Sequence, residues 1–146
     1  MKENLLENIN VNNFMGLNNL KEIDFSDNKI EFIERGSFNT LQNLKELNLC
    51  YNCPTALDPG TFSGLKKLTK LNLAHNMLTS LDSDIFKSLE ALTGLSLYNN
   101  ELKTLPDVIF KDLISIRIIH LQQNEFKNIN RSYFNGLPDD ADVLFK

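Results

Sequence analysis

The sequence predicts a solenoid, a coil of similar turns that share one continuous core, and three regularities carry the prediction. Asn4, Asn28, Asn52, Asn76, Asn100 and Asn124 stand 24 residues apart. Phe14, Phe38, Phe62, Phe86, Phe110 and Phe134 keep the same interval. Before each of the later asparagines runs an alternation such as Leu71-x-Leu73 or Leu95-x-Leu97, which reads as a short strand with one face inward. Self-similarity at a fixed period outranks local propensity, because each unit buries its apolar face only against its neighbours.

With position 1 at Leu20, Leu44, Leu68, Leu92 and Ile116, the repeats run 20–43, 44–67, 68–91, 92–115 and 116–139. Partial repeats at 1–19 and 140–146 complete a single domain. Positions 1, 4, 6, 11, 14, 19 and 22 should be apolar and position 9 asparagine; of these 40 slots, 39 comply. The one miss is Pro54 at position 11. Chance at the chain's 42% hydrophobic content would fill only about 15 of the 35 apolar slots.

Each slot has a physical reason. Positions 4 and 6 are the inward residues of the strand. The turn after them buries peptide groups that have no strand partner, and an asparagine amide carries both the donor and the acceptor to satisfy them. Stacked turn upon turn, the six asparagines would form a structural ladder. The phenylalanines would fill the wider side of the coil opposite the strands.

These residues resemble the leucine-rich repeat, and the resemblance covers the whole chain. The 24-residue length and the position-19 phenylalanine are similar to the "typical" repeats of animal extracellular proteins. Stretches such as Leu57-Asp-Pro-Gly-Thr-Phe62-Ser-Gly-Leu65 resemble Toll-type receptors, Slit-like guidance proteins and variable lymphocyte receptors. The resemblance implies an α/β fold, a right-handed horseshoe with a short-stranded parallel sheet on its concave face. It also implies a role in protein recognition, in innate immunity, adhesion or guidance.

Composition narrows the partners. A formal net charge of -4 and a pI near 5.1 supply no electrostatic attraction to a phosphate backbone, so nucleic acid is not expected. No apolar run approaches the roughly 20 residues of a membrane-spanning helix. The opening Met-Lys-Glu-Asn lacks the apolar core of a signal peptide. Reading backwards, Met1 falls at position 6, so the chain starts inside a strand. Val143 and Phe145 fall at positions 4 and 6 of a further turn, and Asp140 replaces the apolar residue at position 1. Neither end carries the cysteine-rich cap common in extracellular relatives. These features are expected of a piece of a longer ectodomain, or of a short protein that self-associates through its ends. An extracellular or cell-surface location follows from the resemblance; the missing leader and caps leave a cytoplasmic scaffold as the alternative.

No catalytic constellation emerges. His75 and His120 occupy different columns, and nothing resembles a phosphate loop, a metal-binding histidine pair or a nucleophile elbow. The chain is read as non-enzymatic, with no cofactor or metal. Positions 2, 3, 5, 7 and 8 flank the inward strand residues and are expected to point outward. They vary in chemistry while the inward slots do not, which suits a recognition surface on a rigid scaffold. The candidate ligand-binding set is Asn48, Tyr51, Asn72, His75, Ser96, Tyr98, Ile118, His120 and Gln122. Tyr51 and Tyr98 are its expected anchors, being amphipathic aromatics of low entropy cost, with His75 between them.

Cys50 and Cys53 bracket a ladder asparagine. A local disulfide would replace the apolar support lost at Pro54; two free thiols fit the spacing equally, and a zinc site with His75 as third ligand is a remote variant. The sequon Asn130-Arg-Ser132 is no more than chance supplies in so asparagine-rich a chain.

Overall fold

The computed structural model describes residues 4–146; Met1 and its expected strand position lie outside them. The strands are β1 (Asn8–Ile9), β2 (Glu22–Asp24), β3 (Phe32–Ile33), β4 (Glu46–Asn48), β5 (Lys70–Asn72), β6 (Gly94–Ser96), β7 (Ile118–His120) and β8 (Asp142–Leu144). β2, β4, β5, β6, β7 and β8 form one six-stranded parallel sheet, while β1 and β3 pair as a small second sheet. Register advances by one repeat at every step: Ile23, Leu47, Leu71, Leu95, Ile119 and Val143 stand opposite one another. The backbone ladder continues past the strands, with Phe25 N donating to Asn48 O and Asp27 N to Cys50 O.

The fold is a solenoid of stacked turns in which the helical share of the α/β class is small. Among the described residues helix occurs only as two 3-10 segments, Val11–Phe14 and Arg131–Phe134. The reason is visible in the backbone opposite the strands. Gly36, Gly60 and Val108 at position 17, and Gly16, Gly64, Ser88 and Gly136 at position 21, have positive φ. At least one left-handed residue in this stretch of every complete repeat interrupts a short run before an α-helix can propagate.

The asparagines knit the turns together. Asn52, Asn76, Asn100 and Asn124 each donate from Nδ2 to the position-6 carbonyl of their own turn and of the turn before. Their Oδ1 atoms accept from the position-11 amide of the preceding turn: Ile30 N to Asn52 at 2.9 Å, Leu78 N to Asn100 and Leu102 N to Asn124 at 3.1 Å. Leu6 N does the same to Asn28. Asn4 itself is exposed. One rung differs. Pro54 has no amide hydrogen, and Asn76 Oδ1 instead accepts from Asn52 N at 2.9 Å.

Pro54 is nevertheless buried, so its ring fills the apolar slot. No support is lost there for a disulfide to replace, and Cys50 and Cys53 are both free thiols. The phenylalanines stack on the far side of the core, with ring centroids 6.3 Å apart for Phe38 and Phe62 and 6.1 Å for Phe86 and Phe110. Asp140, at its apolar slot, is exposed and pairs with Arg117.

Two stability predictions follow from this arrangement. Asn100→Ala strands two buried carbonyls and an amide, and urea melts should register a loss of about 1–3 kcal/mol; an unchanged midpoint contradicts the ladder. Val108 is a β-branched residue with φ 55 where Gly36 and Gly60 stand in other turns. Val108→Gly relieves about 1–2 kcal/mol of strain at a flexibility cost of roughly 0.5–1 kcal/mol. Its midpoint should therefore rise.

Candidate functional site

The site grows out of a corner. Every complete repeat leaves its strand through a left-handed residue at position 8, with φ between 53 and 58 at Asp27, Tyr51, His75, Asn99 and Gln123. Identical backbone geometry, one turn apart, sends these side chains out as a single column along the edge of the sheet. Aspartate and asparagine tolerate left-handed φ, whereas a bulky aromatic there is an outlier.

The corner also corrects the expected set of outward positions. Position 7 is covered in three turns, with Ser26, Cys50 and Ala74 at 2%, 9% and 7% exposure. Its backbone is engaged with the next turn, as in Tyr51 N donating to Ala74 O at 3.1 Å. Only the larger Tyr98 and Gln122 emerge partway at this position.

Tyr51, His75 and Tyr98 converge. The Tyr51 ring lies flat on His75, centroids 4.1 Å apart and planes within 11°. Tyr98 meets the imidazole edge-on at 5.3 Å. Asn99 Nδ2 is 2.9 Å from His75 Nδ1 and donates to it in the tautomer that carries the proton on Nε2. His75 is thus held on three sides, and it serves as the backing for Tyr51. Turned into this stack, it leaves no third ligand for a metal at the cysteines; among the described residues no cluster of His, Cys, Asp and Glu is placed to hold one.

The other candidate residues divide. Asn48 and Asn72 are half-buried and spend their Oδ1 atoms on Cys50 N and Ala74 N, bracing their own corners as Asp24 does with Ser26 N. Asn48 Nδ2 also donates to Asp24 Oδ1 at 3.2 Å. Ser96 on β6, Ile118 and His120 on β7, and Gln122 just after β7 are half-buried outside the aromatic cluster. Gln122 Oε1 is enclosed with no partner among the described residues. Sequence reasoning missed Asn99 as a member of the cluster. The signal was present: Asp27 and Asn99 in the His75 column mark a left-handed corner.

Charge is uneven along the sheet. Glu22, Asp24, Asp27 and Glu46 lie on the early turns, where Lys70 Nζ pairs with Glu46 at 2.7 Å. That hydrogen bond raises the Lys70 pKa. The Cys50 thiol is pushed up by burial, with Asp27 and Asp24 adding to the effect against a lowering contact from Asn48.

A raised pKa keeps a thiol protonated to higher pH, and the thiolate is the reactive form. Cys53, the less covered cysteine, should therefore react first with a disulfide reagent in the native chain. Cys50 should stay slow even at about pH 8.5, where an ordinary thiol is half ionised. Equal rates for the two would contradict this burial.

The sequence profile of the family described as Leucine rich repeat matches residues 26–78 and 67–126. Among solved structures, the crystal structure of the TLR13-ssRNA13 complex contains a similar chain, 31% identical with a TM-score of 0.89 over 99% of this chain. A leucine-rich repeat protein of Leptospira interrogans is 29% identical, with a TM-score of 0.81 over 97% of this chain. This chain spans 21% of the first and 34% of the second. A search of curated protein sequences finds no match.

Proposed function

The chain belongs to the leucine-rich repeat family, a fold typical of protein-interaction modules, and from that premise we propose that it is a non-enzymatic recognition module. A protein ligand seats on the strand-bearing (concave) face, centred on Tyr51, His75 and Tyr98. The observation that carries this reading is the left-handed tyrosine. Holding Tyr51 at φ 55 costs about 1–2 kcal/mol, while its ring pairing with His75 returns about 0.5–1.5 kcal/mol. The two nearly cancel, so folding gains little from a tyrosine at a corner that aspartate occupies at Asp27. A half-exposed aromatic fixed from behind is instead what binding energy favours.

The partner is a protein rather than a nucleic acid. The TLR13 structure contains single-stranded RNA, and the aromatic stack would suit bases. But Asp27 precedes Tyr51 in the same column and the chain's formal net charge is -4, which repels phosphates where counterion release would have to supply affinity. An extracellular or cell-surface setting, as one section of a longer receptor or adhesion protein, fits the likeness to TLR13. A cytoplasmic scaffold is the second reading, favoured by the two free thiols.

Photo-crosslinking tests the face directly. A benzoylphenylalanine at position 51 or 98 should capture protein adducts that resist ribonuclease, whereas one at Asp107, exposed on the far side, should not. Equal capture from 107, or adducts that ribonuclease removes, would sink the reading. Tyr51→Asn should leave stability within about 1 kcal/mol of wild type and still weaken the captured partner's binding at least tenfold.

A further inference from the structure

We propose that the flank leading from the phenylalanine column back to the strands is a second interaction surface. Its occupant is a short acidic segment of a protein partner, seated along Asn39, Gln42, Asn43, Gly64, Lys66 and Lys67. The surface is separate from the Tyr51 face and needs no part of that reading.

In two consecutive turns this flank reads Asn39-Thr-Leu-Gln-Asn-Leu-Lys45 and Ser63-Gly-Leu-Lys-Lys-Leu-Thr69. Leu41, Leu44, Leu65 and Leu68 are buried, and no carboxylate stands among the residues between them. Gln42 and Asn43 line one shallow depression with Gly64, Lys66 and Lys67, and a second with Asn39 and Thr40. The two depressions therefore form one trough across the turns. Gly64, at φ +86, lies against the next turn's backbone: a Cβ there would stand 3.1 Å from the carbonyl oxygen of Asn39. The floor at this point is bare backbone, open to close approach by a peptide.

The cations of the trough keep their charge. Lys67 Nζ donates to Asn43 Oδ1 at 2.8 Å, and Asn43 Nδ2 donates to Asn18 O at 2.9 Å. A neutral amide thus aims the ammonium group without cancelling it. Four other lysines are matched with carboxylates: Lys70 with Glu46, Lys87 and Lys111 with Asp84, and Lys103 with Glu125. The exposed Lys45 and Lys66 belong to none of the ion pairs among the described residues. Glu46, next to Lys45, is engaged by Lys70. Glu90, one turn beyond Lys66, is the carboxylate at the border of the trough. Three ammonium groups against that one acid make the flank positive in a chain of formal net charge -4.

A small positive patch on an acidic molecule selects a short anion over a long one. Nucleic acids and sulfated glycans gain affinity by releasing counterions over many contacts. Either would run on from three lysines onto the acidic remainder of the molecule and be repelled there. A protein segment can confine its carboxylates to the trough, whose two turn spacings give about 10 Å, or three extended residues. Its backbone is also served by the exposed amides of Asn39 and Gln42, each of which offers a donor and an acceptor to peptide groups.

The probe is a capped hexaglutamate peptide, titrated into the full chain at about 0.15 M salt, where longer-range attraction is screened, and read by backbone amide shifts. Shifts should concentrate at residues 39–45 and 64–69, and capped hexaglutamine should cause none. The double substitution Lys66→Gln and Lys67→Gln should weaken binding about tenfold, and Glu90→Gln should tighten it about twofold. Lys127→Gln removes an exposed lysine on the opposite flank and should leave binding unchanged; melting curves confirm that each variant is folded. Absence of hexaglutamate shifts, shifts spread evenly over the molecule's lysines, or a Lys127→Gln loss equal to that of the double variant overturns the surface. A heparin hexasaccharide or a hexauridylate that binds through Lys66 and Lys67 more tightly than hexaglutamate overturns the acidic-peptide occupant.

Discussion

The bond on which the rest depends is the bridge from each buried asparagine amide to the position-6 carbonyls of two successive turns. Asn100 Nδ2 reaches Leu73 O at 3.0 Å and Leu97 O at 3.1 Å. A bridge of this kind demands that each turn repeat the one before, residue for residue, because any slip would orphan buried peptide groups. Hydrophobic burial supplies most of the driving force and is non-directional. The ladder supplies the register. Even at Pro54 the demand is met, by drawing the Asn76 acceptor onto Asn52 N.

Register then builds the surface. Once turns superpose, residues at one repeat position form a column whatever their chemistry, and the left-handed corner aims the position-8 column along the sheet edge. Asp27, Tyr51, His75 and Asn99 are neighbours because they are 24 residues apart, not because they attract one another. The stack of Tyr51 on His75 and the Asn99 contact are thus obtained from a scaffold stabilised elsewhere. Such a site is pre-organised, which lowers the ordering cost of binding.

The inward half of this architecture was legible because it repeats. Leucine, asparagine and phenylalanine columns announce themselves against composition, and strand positions 4 and 6 follow from alternation. Pro54 was misjudged by counting proline as non-apolar; its ring is buried like the leucines it replaces. The outward half was legible only in part. Tyr51, His75 and Tyr98 were named from residue type, but the sign of φ at position 8 decides where a side chain goes after a corner. Position 7 was expected outside, and Ser26 and Ala74 lie under cover for that reason. Asn48 and Asn72 looked like free polar contacts, yet their carbonyl oxygens cap the corners, an Asx geometry that spacing alone does not separate from solvent exposure.

The account's central claim is that the turns alone, with no partner bound, assemble the aromatic column. Nuclear Overhauser contacts between ring protons of the free chain test it most directly. The account predicts strong cross-peaks between Tyr51 and His75 and between His75 and Tyr98, with ring-shifted resonances for the imidazole. Absence of both cross-peaks, with ring shifts typical of an unstructured peptide, would contradict it.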